Sequence, residues 1–282
     1  MNHSATNNWI DWGGDGPLLH FAHANGFPSR TYRVLLEDLC RDFHVVSSEA
    51  RPMWDRDGYP RLQSWQDLAE DLAATLRKHG ARRVIGVGHS LGGAMSFMAA
   101  VNHPDLFSAV IPIDPVTLSG IPSLVWRIMQ TIGLRNRLPL VQGALRRQHR
   151  WPSPEVARRA YAGKPAFRTW LPEVIDDYVD TAFVATNNNA WTLRYPREWE
   201  ARIFAVSPAS TFATIARIPC PGLFIRGEDS HAFFKRSVPR IQRCNPLLDV
   251  KTIPATGHFV PMENPAAVAQ LIRQFCATIG RS

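Results

Sequence analysis

Short apolar runs along this chain alternate with segments in which apolar residues recur at helical spacing. Each run is four to six residues long and ends in turn or polar residues, as buried strands do; the runs are residues 18–23, 44–48, 83–87, 109–113, 222–225 and 248–253. Helical spacing is found at residues 31–39, 65–76 and 266–279. This alternation predicts an α/β fold: a mostly parallel sheet with helices on both faces, whose strands end at one common edge.

Residues 115–216 interrupt the alternation. They contain helical patterns at 124–132, 140–148, 154–161 and 174–185, but no run that resembles a buried strand. Prolines lie at both ends of the segment, Pro112 and Pro115 near its start and Pro219 and Pro221 just after its end. We therefore predict a core of residues 1–114 and 217–282, with residues 115–216 inserted as a helical cap over the strand ends.

The most informative motif is Gly88-His89-Ser90-Leu91-Gly92, which follows one of the predicted strands and precedes a small-residue helical segment. It matches Gly-x-Ser-x-Gly, in which a sharp strand-to-helix turn exposes a serine nucleophile. Glycines are needed there because strand and helix approach too closely for side chains. The context predicts Ser90 as the nucleophile, at the positive end of a helix.

A serine nucleophile needs a base and a carboxylate that orients the base. His258 lies between the last predicted strand and the last helix, which places it at the active edge and predicts it as the base. Three carboxylates compete for the acid. Asp229, just after a strand, is the first choice because it gives the order Ser, Asp, His; Asp114, at the end of a neighbouring strand, and Glu228 remain alternatives.

An early strand ends in the glycine turn Ala24-Asn25-Gly26-Phe27. The backbone N–H of Phe27, together with that of Leu91 after the nucleophile, would supply two donors to an oxyanion. The sequence thus predicts Phe27 and Leu91 as the oxyanion hole.

These motifs together resemble the α/β-hydrolase superfamily over nearly the whole chain. Segments similar to its motifs are Asn25-Gly26-Phe27-Pro28, Glu49-Ala50-Arg51-Pro52, Gly88–Gly92, Gly257-His258 and Glu263-Asn264-Pro265. The resemblance implies acyl transfer through a serine ester, with no metal or organic cofactor. Three departures stand out: Asn25 where histidine is usual, Pro52 where glycine is usual, and an Asp229 one residue closer to Gly227 than the common spacing.

The predicted function is a serine hydrolase that cleaves a carboxylic ester with an apolar acyl or alcohol part, with amides and thioesters as lesser options. Bulky side chains in the cap suggest an apolar pocket; they are Trp126, Met129, Trp151, Phe167, Trp170, Phe183 and Trp191. A perhydrolase, a lyase or a non-hydrolytic ligand-binding member of the same fold are alternatives. A third alternative is a peripheral lipid-binding protein.

Composition adds one feature to this picture, an uneven distribution of charge. The net charge of the chain is +8. Residues 126–168 of the cap contain ten basic residues and a single acidic one, Glu155; the basic residues are Arg127, Arg135, Arg137, Arg146, Arg147, Arg150, Arg158, Arg159, Lys164 and Arg168. Such a cluster predicts either a solvated face or weak contact with an anionic substrate or surface. No nucleic-acid motif accompanies it.

The remaining sequence signals concern the compartment. The four cysteines lie far apart without metal-ligand spacing, which favours a reduced compartment. The first residues form no signal peptide and no apolar run is long enough to span a bilayer, so a cytoplasmic protein is expected.

Overall fold

The computed structural model describes residues 8–117, 121–186 and 190–279. Its strands are β1 Trp9–Gly13, β2 Leu18–Ala22, β3 His44–Ser48, β4 Val84–His89, β5 Phe107–Ile113, β6 Arg150–Trp151, β7 Phe183–Ala185, β8 Trp191–Leu193, β9 Gly222–Gly227 and β10 Leu248–Ile253. Its α-helices are α1 Arg33–Leu39, α2 Trp65–Lys78, α3 Leu91–Asn102, α4 Ile121–Thr131, α5 Pro139–Arg146, α6 Pro154–Ala162, α7 Pro172–Ala182, α8 Arg197–Ala205, α9 Phe212–Ile215, α10 Val238–Cys244, α11 Val260–Glu263 and α12 Pro265–Ile279.

Seven strands form one sheet in the order β1-β3-β2-β4-β5-β9-β10. Every pairing is parallel except that of β1, which runs antiparallel to β3 at the edge. The predicted α/β architecture is thereby confirmed. The edge strand β1 was not predicted, because none of its residues is fully buried and Asp11 interrupts its apolar residues.

Helices cover both faces of the sheet, and each face has its own apolar core. On one face α1 and α12 pack on the strands, with Leu36 and Ile272 fully buried. On the other face α2 and α3 pack, with Leu72 and Phe97 buried. The central strands β4 and β5 are therefore apolar on both sides, which explains their continuous apolar runs.

The interval between β5 and β9 holds α4 to α9 and a small antiparallel sheet in the order β6-β8-β7. The expectation of an all-helical insertion is wrong on this point, because the three strands have only two or three residues and carry no readable periodicity. Residues 118–120 and 187–189 of the predicted cap lie outside the described residues. We use the word cap for the described part of 115–216.

The parallel strands end at a common edge of the sheet, where the functional residues meet. Ser90 follows β4, Asp114 follows β5, and the turn after β9 begins at Gly227. His258 lies between β10 and α11. Topology therefore brings together residues that are far apart in sequence, such as Asp114 and His258, which are 144 positions apart.

Among the described residues, no helix is both long enough and apolar enough to cross a membrane.

Candidate active site

Ser90 has the backbone geometry of a nucleophile elbow. Its φ of 52° and ψ of −111° lie outside the regions that ordinary residues adopt. The turn is held because the Ser90 N–H donates to the Ile113 carbonyl of the neighbouring strand at 2.8 Å. A Cβ on Gly92 would lie 2.0 Å from the Ala22 carbonyl oxygen, and one on Gly88 2.4 Å from the Gly92 backbone. The glycines are therefore required by close backbone packing, as the motif predicts.

His258 is paired with Asp114. Its Nδ1 lies 2.7 Å from the Asp114 Oδ2, and the carboxylate is fully buried while the imidazole is 14% exposed. Nδ1 donates to the carboxylate, which leaves Nε2 free to accept a proton. The carboxylate at His258 is thus the one that the sequence analysis kept as an alternative.

Asp114 is held in place from three sides. Its Oδ1 accepts a hydrogen bond from the Gly227 N–H at 2.9 Å, and its Oδ2 accepts a second one from the Ser230 hydroxyl. Its own N–H donates to the Ile225 carbonyl at 2.7 Å, with a positive φ of 45° that turns the chain at the end of β5. The hydrogen bonds to both oxygens fix the orientation of the carboxylate beside His258.

Asp229, the first choice of the sequence analysis, is exposed and is not the partner of His258, so that prediction is corrected. Its backbone N–H donates to the Thr256 carbonyl at 2.9 Å, which fixes the turn after β9. Glu228 is also exposed, and its carboxylate accepts the Ala255 N–H at 3.1 Å. Asp229 and Glu228 therefore stabilise the conformation of the turn after β9. The side chain of this turn that contacts Asp114 is the Ser230 hydroxyl.

A buried chain of hydrogen bonds fixes the backbone of His258. Burial, and next the charge of His258, lower the pKa of His89 well below its usual range, so His89 is neutral. Its Nε2 donates to the His258 carbonyl at 2.8 Å, and its Nδ1 accepts from the Tyr32 hydroxyl at 2.9 Å. The same hydroxyl accepts the Ala24 N–H at 3.1 Å. The residue before the nucleophile thereby connects His258 to the oxyanion turn.

The oxyanion turn itself is a tight one. Gly26 has a φ of +88°, which side-chain-bearing residues rarely adopt, and the Phe27 N–H closes the turn onto the Ala24 carbonyl at 3.2 Å. Leu91 is the first residue of α3, where backbone N–H groups have no partner within the helix. Both predicted oxyanion residues, Phe27 and Leu91, line the same cavity as Ser90.

Asn25, which stands where the resembled family has histidine, is held by the cap. Its Oδ1 accepts from the Tyr195 hydroxyl at 2.8 Å, and its Nδ2 donates to the Glu200 carbonyl at 3.1 Å. Burial raises the pKa of Tyr195 well above its usual value, so the hydroxyl keeps its proton. Sequence reasoning missed both cap residues, since no local pattern links positions about 170 residues apart.

An ion pair from the cap covers the same turn. The Arg147 Nη1 lies 2.7 Å from the Glu200 Oε2, and both side chains are about nine-tenths buried. A Cβ on Gly26 would lie 3.2 Å from that guanidinium. Arg147 also donates to the hydroxyls of Tyr161 and Tyr178. As part of the basic cluster, Arg147 was expected either on a solvated face or in contact with an anion; it is instead largely buried and joins α5 to α6, α7 and α8 within the cap.

Ser90 and His258 open onto a cavity of about 520 Å³. Its walls are mostly apolar, and its polar lining includes Arg147, Lys164 and His231. Burial lowers the pKa of His231, which therefore lines the cavity as a neutral imidazole. Of the seven bulky cap side chains named above, only Trp126 and Phe167 line this cavity. A buried serine and histidine facing an apolar cavity can perform nucleophilic acyl transfer.

Comparison with known proteins identifies the family of this chain. The sequence model of the alpha/beta hydrolase family matches residues 21–271. A 2-(acetamidomethylene)succinate hydrolase of Mesorhizobium japonicum is 25% identical over 266 residues, 93% of this chain and 88% of that protein. A type I acyl-CoA thioesterase of Penicillium roqueforti is 30% identical over 170 residues, 55% of this chain and 37% of that protein.

Among solved structures, an E-2-(acetamidomethylene)succinate hydrolase superimposes with a TM-score of 0.77, covering 95% of this chain and 94% of the other at 21% identity. At that identity the superposition supports the fold.

Proposed function

Because the chain belongs to the alpha/beta hydrolase family and is a hydrolase, we propose that it cleaves a carboxylic ester through Ser90, His258 and Asp114. The observation that carries this proposal is the 2.7 Å hydrogen bond between His258 and the buried Asp114, at the cavity that Ser90 lines. A carboxylate in this position keeps the imidazole in the tautomer whose Nε2 accepts a proton.

The reaction proceeds in two halves. The His258 Nε2 removes the proton of the Ser90 hydroxyl as the oxygen attacks the ester carbonyl, and the imidazolium then protonates the departing alcohol. Water, deprotonated by the same nitrogen, attacks the acyl-enzyme and releases the acid while Ser90 regains its proton. Asp114 stabilises the imidazolium in both halves through its hydrogen bond to Nδ1.

The negative charge that develops on the carbonyl oxygen is taken by backbone donors. In this proposal they are the N–H groups of Leu91 and Phe27, and each such donor contributes about 3–4 kcal/mol to the transition state. The Phe27 N–H is 3.2 Å from the Ala24 carbonyl, at the long end of the hydrogen-bond range, so its bond to the oxyanion replaces a weak one.

The cavity argues for an apolar group on the ester. Phe27, Trp126, Phe167, Phe204 and Phe259 contribute aromatic surface around the nucleophile. A volume of about 520 Å³ is within the ordinary range for a small-molecule site. An acyl or alcohol part of medium size would bury its apolar surface there.

The test is a panel of p-nitrophenyl esters of increasing acyl length, assayed with the wild-type protein and Ser90→Ala. We expect kcat/KM to rise with acyl length until the cavity is filled, and the variant to lose several orders of magnitude of turnover. A Ser90→Ala protein that retains wild-type turnover would refute the proposal.

A thioester is the second candidate substrate, favoured by the likeness to the acyl-CoA thioesterase. The same serine chemistry would release a thiol instead of an alcohol. Assaying acyl-CoA beside the p-nitrophenyl ester of the same acyl group separates the two. A higher kcat/KM on the thioester, lost in Ser90→Ala, would favour the second candidate.

A further inference from the structure

We infer that the outer side of α4 and α5 docks on an anionic lipid surface. We call this side the cap face and define it by six exposed aliphatic side chains: Leu124, Val125, Ile128, Ile132, Leu140 and Leu145. Six of the eight large apolar side chains exposed in the described part of the chain therefore lie here. Exposed apolar residues concentrated in this way mark an interaction surface.

The helix α4 has its apolar side turned outward, whereas a helix at a solvated surface turns its polar side outward. Its inner side packs on the cap, since the Gln130 Nε2 donates to the Ser207 carbonyl at 2.6 Å and Trp126 lines the cavity. Leu124 and Ile128 of α4, and Ile132 directly after it, follow one another at intervals of four on the opposite side and are 46–58% exposed. An apolar helix side that faces outward in this way marks a surface that another apolar layer covers.

The charged residues around the cap face indicate the chemistry of the surface that covers it. Arg127 lies within α4, Arg137 lies in the turn before α5, and Arg146 follows Leu145 in α5; all three are exposed. The ion pairs in the described part of the cap use other arginines. The chain has no Asp or Glu between residues 121 and 154. An uncompensated basic rim around aliphatic side chains fits anionic headgroups over an acyl layer.

The cap face is continuous with the active-site cavity. Leu140 is 51% exposed and also lines the cavity, together with Gly143 and Ala144 of the same helix. Docking would thus place one wall of the cavity at the membrane surface. The inference goes beyond the proposed hydrolysis, because binding of the surface requires no turnover.

The test is co-sedimentation of the full-length protein with phosphatidylcholine vesicles, with and without phosphatidylglycerol, at low and at high salt. We expect binding to the anionic vesicles only, weakening as salt rises. The variant Arg127→Gln/Arg137→Gln/Arg146→Gln should partition roughly 100-fold less, from about fivefold for each arginine.

A second variant tests the apolar part separately. Ile128→Ser/Ile132→Ser should weaken binding to anionic vesicles at least about tenfold, since these side chains no longer enter the acyl boundary. None of the substituted residues lines the cavity, so turnover of a soluble short ester should be unchanged and shows that the protein is folded.

Matched controls lie on the core. Lys78→Gln/Arg82→Gln/Arg217→Gln removes three exposed basic residues elsewhere, and Leu247→Ser removes a 49% exposed leucine; both should bind like the wild type. Equal loss in the controls, or no binding to anionic vesicles at low salt, would overturn the inference. So would a dimer that Ile128→Ser/Ile132→Ser dissociates without any vesicle binding, because a second copy would then cover the face.

Discussion

The strand-end edge of the core and the cap that covers it contribute to the same site in different ways. In the core, Ser90 and Asp114 each follow a strand directly and His258 lies in the short loop after β10, so the sheet positions all three. In the cap, Tyr195 and Glu200 act through contacts with Asn25 that span about 170 residues of sequence. Under the proposed function the core supplies the reacting groups, whereas the cap holds the Asn25 side chain of the predicted oxyanion turn.

The largest expected effect is in the core. Asp114→Asn should lower kcat about 10⁴-fold, because the amide holds His258 in the wrong tautomer for accepting a proton. Steady-state turnover of the best p-nitrophenyl ester measures this. Asp229→Asn is the matched control, since Asp229 is an exposed carboxylate in the turn after β9. It should leave kcat within about twofold, as surface substitutions away from a site do. The reverse ranking would return the role to Asp229.

The second-largest expected effect concerns the Arg147–Glu200 ion pair of the cap, and it is an effect on the stability of the protein. Glu200→Leu leaves the buried Arg147 without its partner, which should lower the free energy of unfolding by about 3–5 kcal/mol. Urea denaturation measures the loss. The double variant Arg147→Met/Glu200→Leu should recover most of it, since both charges are then gone. Equal destabilisation of single and double variants would show that the pair is not what matters.

The smallest expected effect is at Tyr195, the cap residue whose hydroxyl contacts Asn25 of the core. Tyr195→Phe removes the donor to Asn25 and should lower kcat about tenfold, in line with the 1.5 kcal/mol of a lost hydrogen bond, with KM unchanged. Tyr59→Phe, on the core, is the control. A change in KM alone would show that Tyr195 acts on substrate binding and not on the oxyanion turn.

Sequence reasoning located Ser90 and His258 because both signals are local: a strand, a glycine turn and a helix. It favoured Asp229 over Asp114 because of the order Ser, Asp, His, although both follow a strand at the same edge. The choice depends on the turn, as Asp114 turns inward with a φ of 45° whereas Asp229 is left in solvent. The sequence carries one hint, because Asp229 lies one residue closer to Gly227 than the common spacing.

The cap was the less predictable region for the same physical reason. Its three strands are too short to show alternation, and the burial of Arg147 depends on Glu200, 53 residues away. A run of arginines in sequence therefore divides into one largely buried side chain and a set of exposed side chains. Only tertiary contacts separate the two.

The central claim is that Ser90 is the nucleophile activated by His258. The most direct test is labelling with a fluorophosphonate followed by peptide mapping of the adduct by mass spectrometry. We predict a single adduct on Ser90, formed several orders of magnitude more slowly in His258→Ala, since the serine then has no base. An adduct on another residue, or labelling of Ser90 at an unchanged rate in His258→Ala, would contradict the account.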